Sequence, residues 1–232
     1  MKYFVLTIFT FSIFAVETIK VGIFNVEPFS YINPEGEMDG VTYKFLRKLE
    51  EETQFKFVYT ILPYARVVGN LKDGVVDLAM FYPSHQNNGS FIKLTQTLGN
   101  DNIIVLRTDL QAKSLADVKG LSIARIRGGK YFEDFDNNEL IKKVDVVNYS
   151  QSISLFLGKR VDGFIIPRVA LNHLLKDKKF HKEDFKNTFF VNHKYNFIHV
   201  RNNLPVAIRN KIVESNKAII KKYQYKRLED LL

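Results

Sequence analysis

The chain has 232 residues, 46% hydrophobic and 25% charged, which suits a globular protein of one large or two small domains. It carries 34 lysines and arginines against 25 aspartates and glutamates, a formal net charge of +9. It has no cysteine, which excludes disulfides, thiolate metal sites and a cysteine nucleophile.

Residues 1–18 read as a secretory signal peptide. Met1-Lys2 supply a positive charge, and Tyr3 to Ala15 is apolar apart from Thr7, Thr10 and Ser12. Glu17 ends the run short of the roughly 20 apolar residues a membrane span needs. The alternative is a first buried strand. With no cysteine to carry a lipid, export as a soluble periplasmic protein is expected.

Ile19 to Phe24 predicts a strand, followed by a loop marked by Pro28, Pro34, Gly36 and Gly40. Val41 to Thr53 predicts a helix that buries Val41, Phe45, Leu46 and Leu49. A strand at 55–60, a helix opened by Pro63 and closed by Gly74, and a strand at 77–82 follow. This order implies a parallel sheet with helices on its faces. Further on, strands are predicted at 103–106, 121–126, 144–147, 163–166, 189–191 and 197–200. Helices are predicted at 115–118, from about Tyr131, from an N-cap at Ser150 through Leu157, from Pro167 to Leu175, and from Pro205 onward. The densest basic patches, at Lys176 to Lys179 and Lys221 to Arg227, fall near helix ends, where cations suit the dipole. A solvated basic surface that draws anions is expected, rather than a nucleic-acid site.

One unit occurs twice. Leu71-Lys72-Asp73-Gly74-Val75-Val76-Asp77 runs into Leu78 to Pro83, and Leu157-Gly158-Lys159-Arg160-Val161-Asp162 runs into Gly163 to Pro167. Each is a helix end, a polar turn, a Val-Asp pair and a buried strand. Two similar α/β lobes are expected, with a ligand cleft between them. Chain crossings near 103–107 and 192–200 divide them into 19–105 plus 196–232 and 106–195. Asp77 and Asp162 are expected to anchor turns at strand starts, away from the cleft.

Four stretches resemble the bacterial extracellular solute-binding proteins of family 3, the periplasmic receptors of amino-acid ABC importers. They are Ile19-Lys20-Val21-Gly22 with Glu27 to Tyr31 and Gly36 to Gly40; Leu71 to Leu78; Ser114 to Leu121; and Gly158 to Asp162. The resemblance implies a two-lobed, type II periplasmic binding protein-like fold that closes on a small solute. It implies a membrane permease or receptor as partner; separately, no cofactor or metal is expected. A monomer is expected.

Ligand contacts in such folds come from loops at the C-terminal ends of parallel strands. Tyr31 follows the first strand, and Phe81, Tyr82 and Ser84 follow the third. The arginine that the family uses for an α-carboxylate is absent from Ser84 to Ser90, and Pro167 stands where its acidic partner for an α-ammonium belongs. Arg66 beside Tyr64, and Arg127 and Lys130 around Gly128-Gly129 before Tyr131, are the substitute cations for an anionic solute. The leading expectation is thus capture of a small polar, anionic solute for an ABC importer, with no catalytic residue. The alternatives are a dehydratase-like enzyme on a small carboxylic acid, and a sensory subunit. No His-Glu-x-x-His or Gly-x-Ser-x-Gly pattern argues for metal or covalent catalysis.

Overall fold

The computed structural model describes residues 16–82, 89–176 and 180–231. The expected signal peptide therefore falls mostly outside the described residues. Thr18, its expected last residue, is the first of strand β1 (Thr18–Phe24). A two-strand ribbon follows, β2 (Tyr31–Ile32) and β3 (Met38–Asp39). Helix α1 (Val41–Thr53) buries the four residues its periodicity selects, Val41, Phe45, Leu46 and Leu49. Strand β4 (Lys56–Leu62), helix α2 (Tyr64–Lys72) and strand β5 (Leu78–Phe81) complete this half. Pro63 caps α2. Strand β1 lies between β4 and β5, parallel to both.

The two connections depart from expectation. Strand β6 (Ile92–Leu106) is one strand of 15 residues where only 103–106 is predicted, and β10 (Thr188–Val200) is one strand of 13 where two short ones are predicted. They pair antiparallel along their lengths, with irregular register around Asn192 and Phe197. Their middles are polar, so no apolar alternation marks them as strands. Thr97, Asn100, Asn102 and Asn196 are buried there. Asn102 Nδ2 donates to Asn192 Oδ1 at 2.8 Å, and Thr97 Oγ1 to the Asn196 carbonyl at 3.1 Å.

The second half repeats the first. It comprises β7 (Ser122–Ile126), α3 (Glu133–Asp136), β8 (Lys142–Val146), α4 (Tyr149–Leu157), β9 (Gly163–Pro167) and α5 (Arg168–Leu174). Strand β7 is parallel to β8 and β9. The sheet runs β4-β1-β5-β10-β6-β9-β7-β8, so each half is three parallel strands beside one long connecting strand. Both faces of β9 are covered: Phe164 and Ile166 join the larger core, Ile165 the smaller one with Ile104, Ile123 and Phe135. Helix α6 (Val206–Tyr223), capped by Pro205, returns to pack on α1 of the first half. Two local expectations are corrected. The helix expected from Tyr131 is a single turn, because 127–132 form a turn and extended chain first. The N-cap of α4 is Asn148, not Ser150; its side chain accepts from the Gln151 amide at 2.8 Å.

The repeated Val-Asp unit makes the same tie twice. Asp77 accepts from the Lys20 amide at 2.8 Å, and its own amide donates to the Lys20 carbonyl. Asp162 accepts from the Ser122 amide at 2.9 Å, and its amide donates to the Ser122 carbonyl. Each aspartate thus grips the start of the neighbouring parallel strand, and each meets an arginine, Arg201 or Arg107. For Asp162 burial opposes ionisation, but the Ser122 amide and hydroxyl and the Arg107 and Lys142 charges outweigh it, so its pKa is lowered. The tie is therefore complete above the ordinary carboxylate range and is lost in acid, as pH falls through the depressed value. Asp162→Asn should lower stability by about 1–3 kcal/mol at neutral pH. In denaturant titrations the difference from wild type should shrink below about pH 4. A difference independent of pH would show that the charge is not what holds the strand.

Candidate functional site

A cavity lies between the halves at the ends of the strands opposite the two aspartates. From the first half come Phe24 at the end of β1, Phe29 in the following loop, Tyr64 at the start of α2, and Phe81 at the end of β5. From the second come Ile126 at the end of β7, Gly129, Lys130, Tyr131, and Tyr149 at the start of α4. Val26 and Tyr82 also line it, and Asn196 reaches it from β10. Its volume is about 50 Å³, far below the roughly 300 Å³ of small ligand pockets. Aromatic rings fill the space around it. Tyr64 packs edge to face against Phe24 and Phe81, with ring centroids 5.5 and 6.1 Å apart.

The halves meet at two further places. A Cβ placed on Gly128 would make ordinary contact with Ala65 Cβ at 3.4 Å and Tyr64 Cδ1 at 3.9 Å, and it is the φ of +75° that suits glycine here. Elsewhere His173 Nε2 lies 2.8 Å from Glu27 Oε1. The arrangement is a closed one.

The tyrosine hydroxyls form the polar part of the lining. Tyr149 and Tyr131 are hydrogen-bonded to each other, and the Ile126 amide donates to Tyr131 Oη at 3.4 Å. Burial pushes the Tyr131 phenol up to about 12 and raises Tyr64 and Tyr149 as well, so all three stay neutral. Asn100 Nδ2 donates to Tyr82 Oη. Lys194 Nζ donates to the Lys130 carbonyl at 3.1 Å and stands 5.3 Å from the Tyr82 ring centroid. Burial lowers the Lys194 pKa against the pull of Asp136. No carboxylate is among the described residues lining the cavity. Burial raises the pKa of Asp136, but Asp136 accepts from the Tyr131 amide at 3.0 Å and does not line the cavity.

Of the residues expected at the site, Tyr64, Phe81, Tyr82, Gly129, Lys130 and Tyr131 come together in this lining. Arg66 and Arg127 do not: both are exposed. The expected helix N-terminus after Gly129 is not an anion cradle. Helix α3 has four residues, and Glu133, Asp134 and Asp136 stand in its only turn. Tyr31 lies in β2, where its hydroxyl donates to Asp39 at 3.3 Å and its ring sits 6.4 Å from His173. Pro167 ends β9 and caps α5, buried and away from the cavity lining. Ser84 lies outside the described residues. Asn196, Tyr149, Phe24 and Phe29 line the cavity and were not expected, nor was Lys194, which stands outside the lining against the Lys130 carbonyl and the Tyr82 ring. Asn192, Lys194 and Asn196 alternate along β10 on its less exposed side, a polar stripe of period two that sequence reading could have found. Among the described residues no helix is long and apolar enough to cross a membrane, and no cluster of three or more metal-ligating side chains is present.

Comparison with known proteins follows the same lines. The sequence model of the bacterial extracellular solute-binding proteins, family 3, matches residues 19–230. The curated protein named "Probable amino-acid-binding protein YxeM" of Bacillus subtilis (strain 168) is 20% identical over 151 residues, 62% of this chain. That match spans 56% of the relative's length. The GluR0 ligand-binding core from Nostoc punctiforme, solved with L-glutamate, superposes with a TM-score of 0.74 at 16% identity, covering 91% of this chain and 97% of that one. An ABC uptake transporter substrate-binding protein from Streptococcus pneumoniae, solved with histidine, gives 0.73 at 14% identity, with 90% and 89% covered. At such identities the likeness establishes the fold alone, a bilobal type II periplasmic binding protein fold.

Proposed function

Since the chain belongs to the bacterial extracellular solute-binding proteins of family 3, we propose that it captures a small, polar, anionic solute by lobe closure and delivers it to an ABC importer. The lobes are 19–105 with 196–232 and 106–195, and they move about β6 and β10. Export to the periplasm, monomeric capture and recognition of the closed form by the permease complete the reading. The observation that carries the anionic solute is the pairing of Lys130 in the lining with Lys194 behind it. Lys194 is part-buried and rests over the Tyr82 ring; Asp136 pulls on its charge from outside the lining, and no described lining residue is a carboxylate. A carboxylate on the solute would give these ammoniums a partner inside the cavity, in addition to Asp136 outside it, and such bonds are the stronger kind.

The fold's relatives were solved with glutamate and histidine, so amino acids belong in the test panel. A true solute at 100 times its dissociation constant stabilises the protein by about 2.7 kcal/mol. For a chain of this size the melting temperature should then rise by roughly 5–10 °C. Lys194→Met should weaken the anionic solute about tenfold or more, the worth of one hydrogen bond to a charged group. If no organic anion shifts the melting curve, the anionic reading fails.

A further inference from the structure

The walls of the cavity narrow the solute beyond its charge. Seven of the twelve described residues that line it carry aromatic rings, and they stand on both sides: Tyr64, Phe24 and Phe81 on one, Tyr131 and Tyr149 on the other. The rings are already close, and about 50 Å³ remains among them. A flat solute separates such walls least and gains stacking contact on both faces. The hydrogen-bonding groups nearest these rings are neutral phenols, which donate to an acceptor without offering a charge.

Resting on the anionic reading above, we propose that the solute is a small aromatic carboxylate that carries no ammonium group. Its ring lies between Tyr64 and the Tyr131–Tyr149 pair, and its carboxylate faces Lys130 and Lys194. An α-amino acid would bury an ammonium in a lining where no described residue is a carboxylate. A dicarboxylate would set its second charge against rings. Organic cations are attracted to ring faces, but the Lys194 ammonium already stands over Tyr82, and Lys130 adds a second positive charge beside it.

Calorimetric titration of the purified protein tests this with benzoate, 4-hydroxybenzoate, benzamide, succinate, L-glutamate and tetramethylammonium. The aromatic carboxylates should bind at least tenfold tighter than succinate and L-glutamate. Benzamide, with the ring and no charge, should be at least tenfold weaker than benzoate. Lys194→Met should weaken benzoate about tenfold and change benzamide less than twofold. Succinate or L-glutamate binding as tightly as the aromatic acids overturns the aromatic solute and leaves the anionic reading standing. Benzamide or tetramethylammonium binding tighter than benzoate, or no anion binding at all, overturns both. Should the Lys194 variant fail to fold, the benzoate-to-benzamide ratio of the wild type decides the role of charge.

Discussion

Replacing Gly40 by alanine is expected to lower the melting temperature by roughly 10 °C, equivalent to about 3–4 kcal/mol for a chain of this size. Gly40 has φ +114°, where an L side chain is strained whatever the space around it. A Cβ there would also lie 2.5 Å from the Phe29 carbonyl oxygen and 2.7 Å from that of Pro28. Both neighbours are backbone and cannot swing aside. Both carbonyls are also in use: Val41 donates to Pro28 O at 2.9 Å and Thr42 to Phe29 O at 2.7 Å. These bonds join the first turn of α1 to the loop that carries Phe29 into the cavity lining. The substitution should therefore loosen the solute site as well as the fold. Gly69, inside α2, is the control. A Cβ there meets nothing within 4 Å, so Gly69→Ala should be neutral or stabilising by up to about 1 kcal/mol. Equal melting curves for the two variants would refute this account of Gly40.

The second large effect is a loss of stability in mild acid that runs through His199. The ring is buried, stacks on Phe81 with centroids 3.9 Å apart, and meets Phe91 edge to face at 5.2 Å. Its Nδ1 is buried without a hydrogen-bond partner among the described residues. Burial lowers its pKa to about 4; the Phe197 backbone opposes this, and the Lys93 charge adds to it. The unfolded chain therefore takes up a proton near pH 6.5 that the folded chain refuses until about pH 4. Stability is full above the higher value and falls as pH drops across the window. Two to three units at about 1.4 kcal/mol each make about 3 kcal/mol. His199→Phe keeps a ring on Phe81 and removes the titration. Urea midpoints from pH 7 to pH 4 should decline less steeply for the variant than for the wild type. Parallel declines would assign the acid sensitivity to the carboxylates instead. Because Phe81 also lines the cavity, protonation at the low end of this window should weaken solute binding too.

What could be read from sequence followed apolar pattern. Helix α1 was legible to the residue because its four buried side chains recur at helical spacing. The two halves were legible because Gly74 with Val76-Asp77, and Gly158 with Val161-Asp162, mark the same turn into a buried strand. The full length of β6 and β10 was not, because these strands are held by pairing with each other while their middles are polar. The site was legible in part. Strand ends pointed to Phe81, Tyr82 and the Gly129–Tyr131 segment, and these line the cavity. Charge alone misled at Arg66 and Arg127: nothing local tells a guanidinium whether the far lobe will cover it, and both stay exposed. The part-buried cation, Lys194, comes from β10, where burial depends on contacts with residues 64 positions earlier in the chain, at Lys130.

The aspartate ties at Lys20 and Ser122 bear on classification as well as folding. They hold strand register at the end of the sheet opposite the cavity. The side chains that line the cavity stand at the other end, and they make none of the bonds in the ties. Two chains can therefore share these turns and keep unlike cargo. Likeness at the Val-Asp turns identifies scaffold; on the reading proposed above, a forecast of cargo has to be read from the cavity walls, at Tyr64, Lys130, Tyr131 and Tyr149.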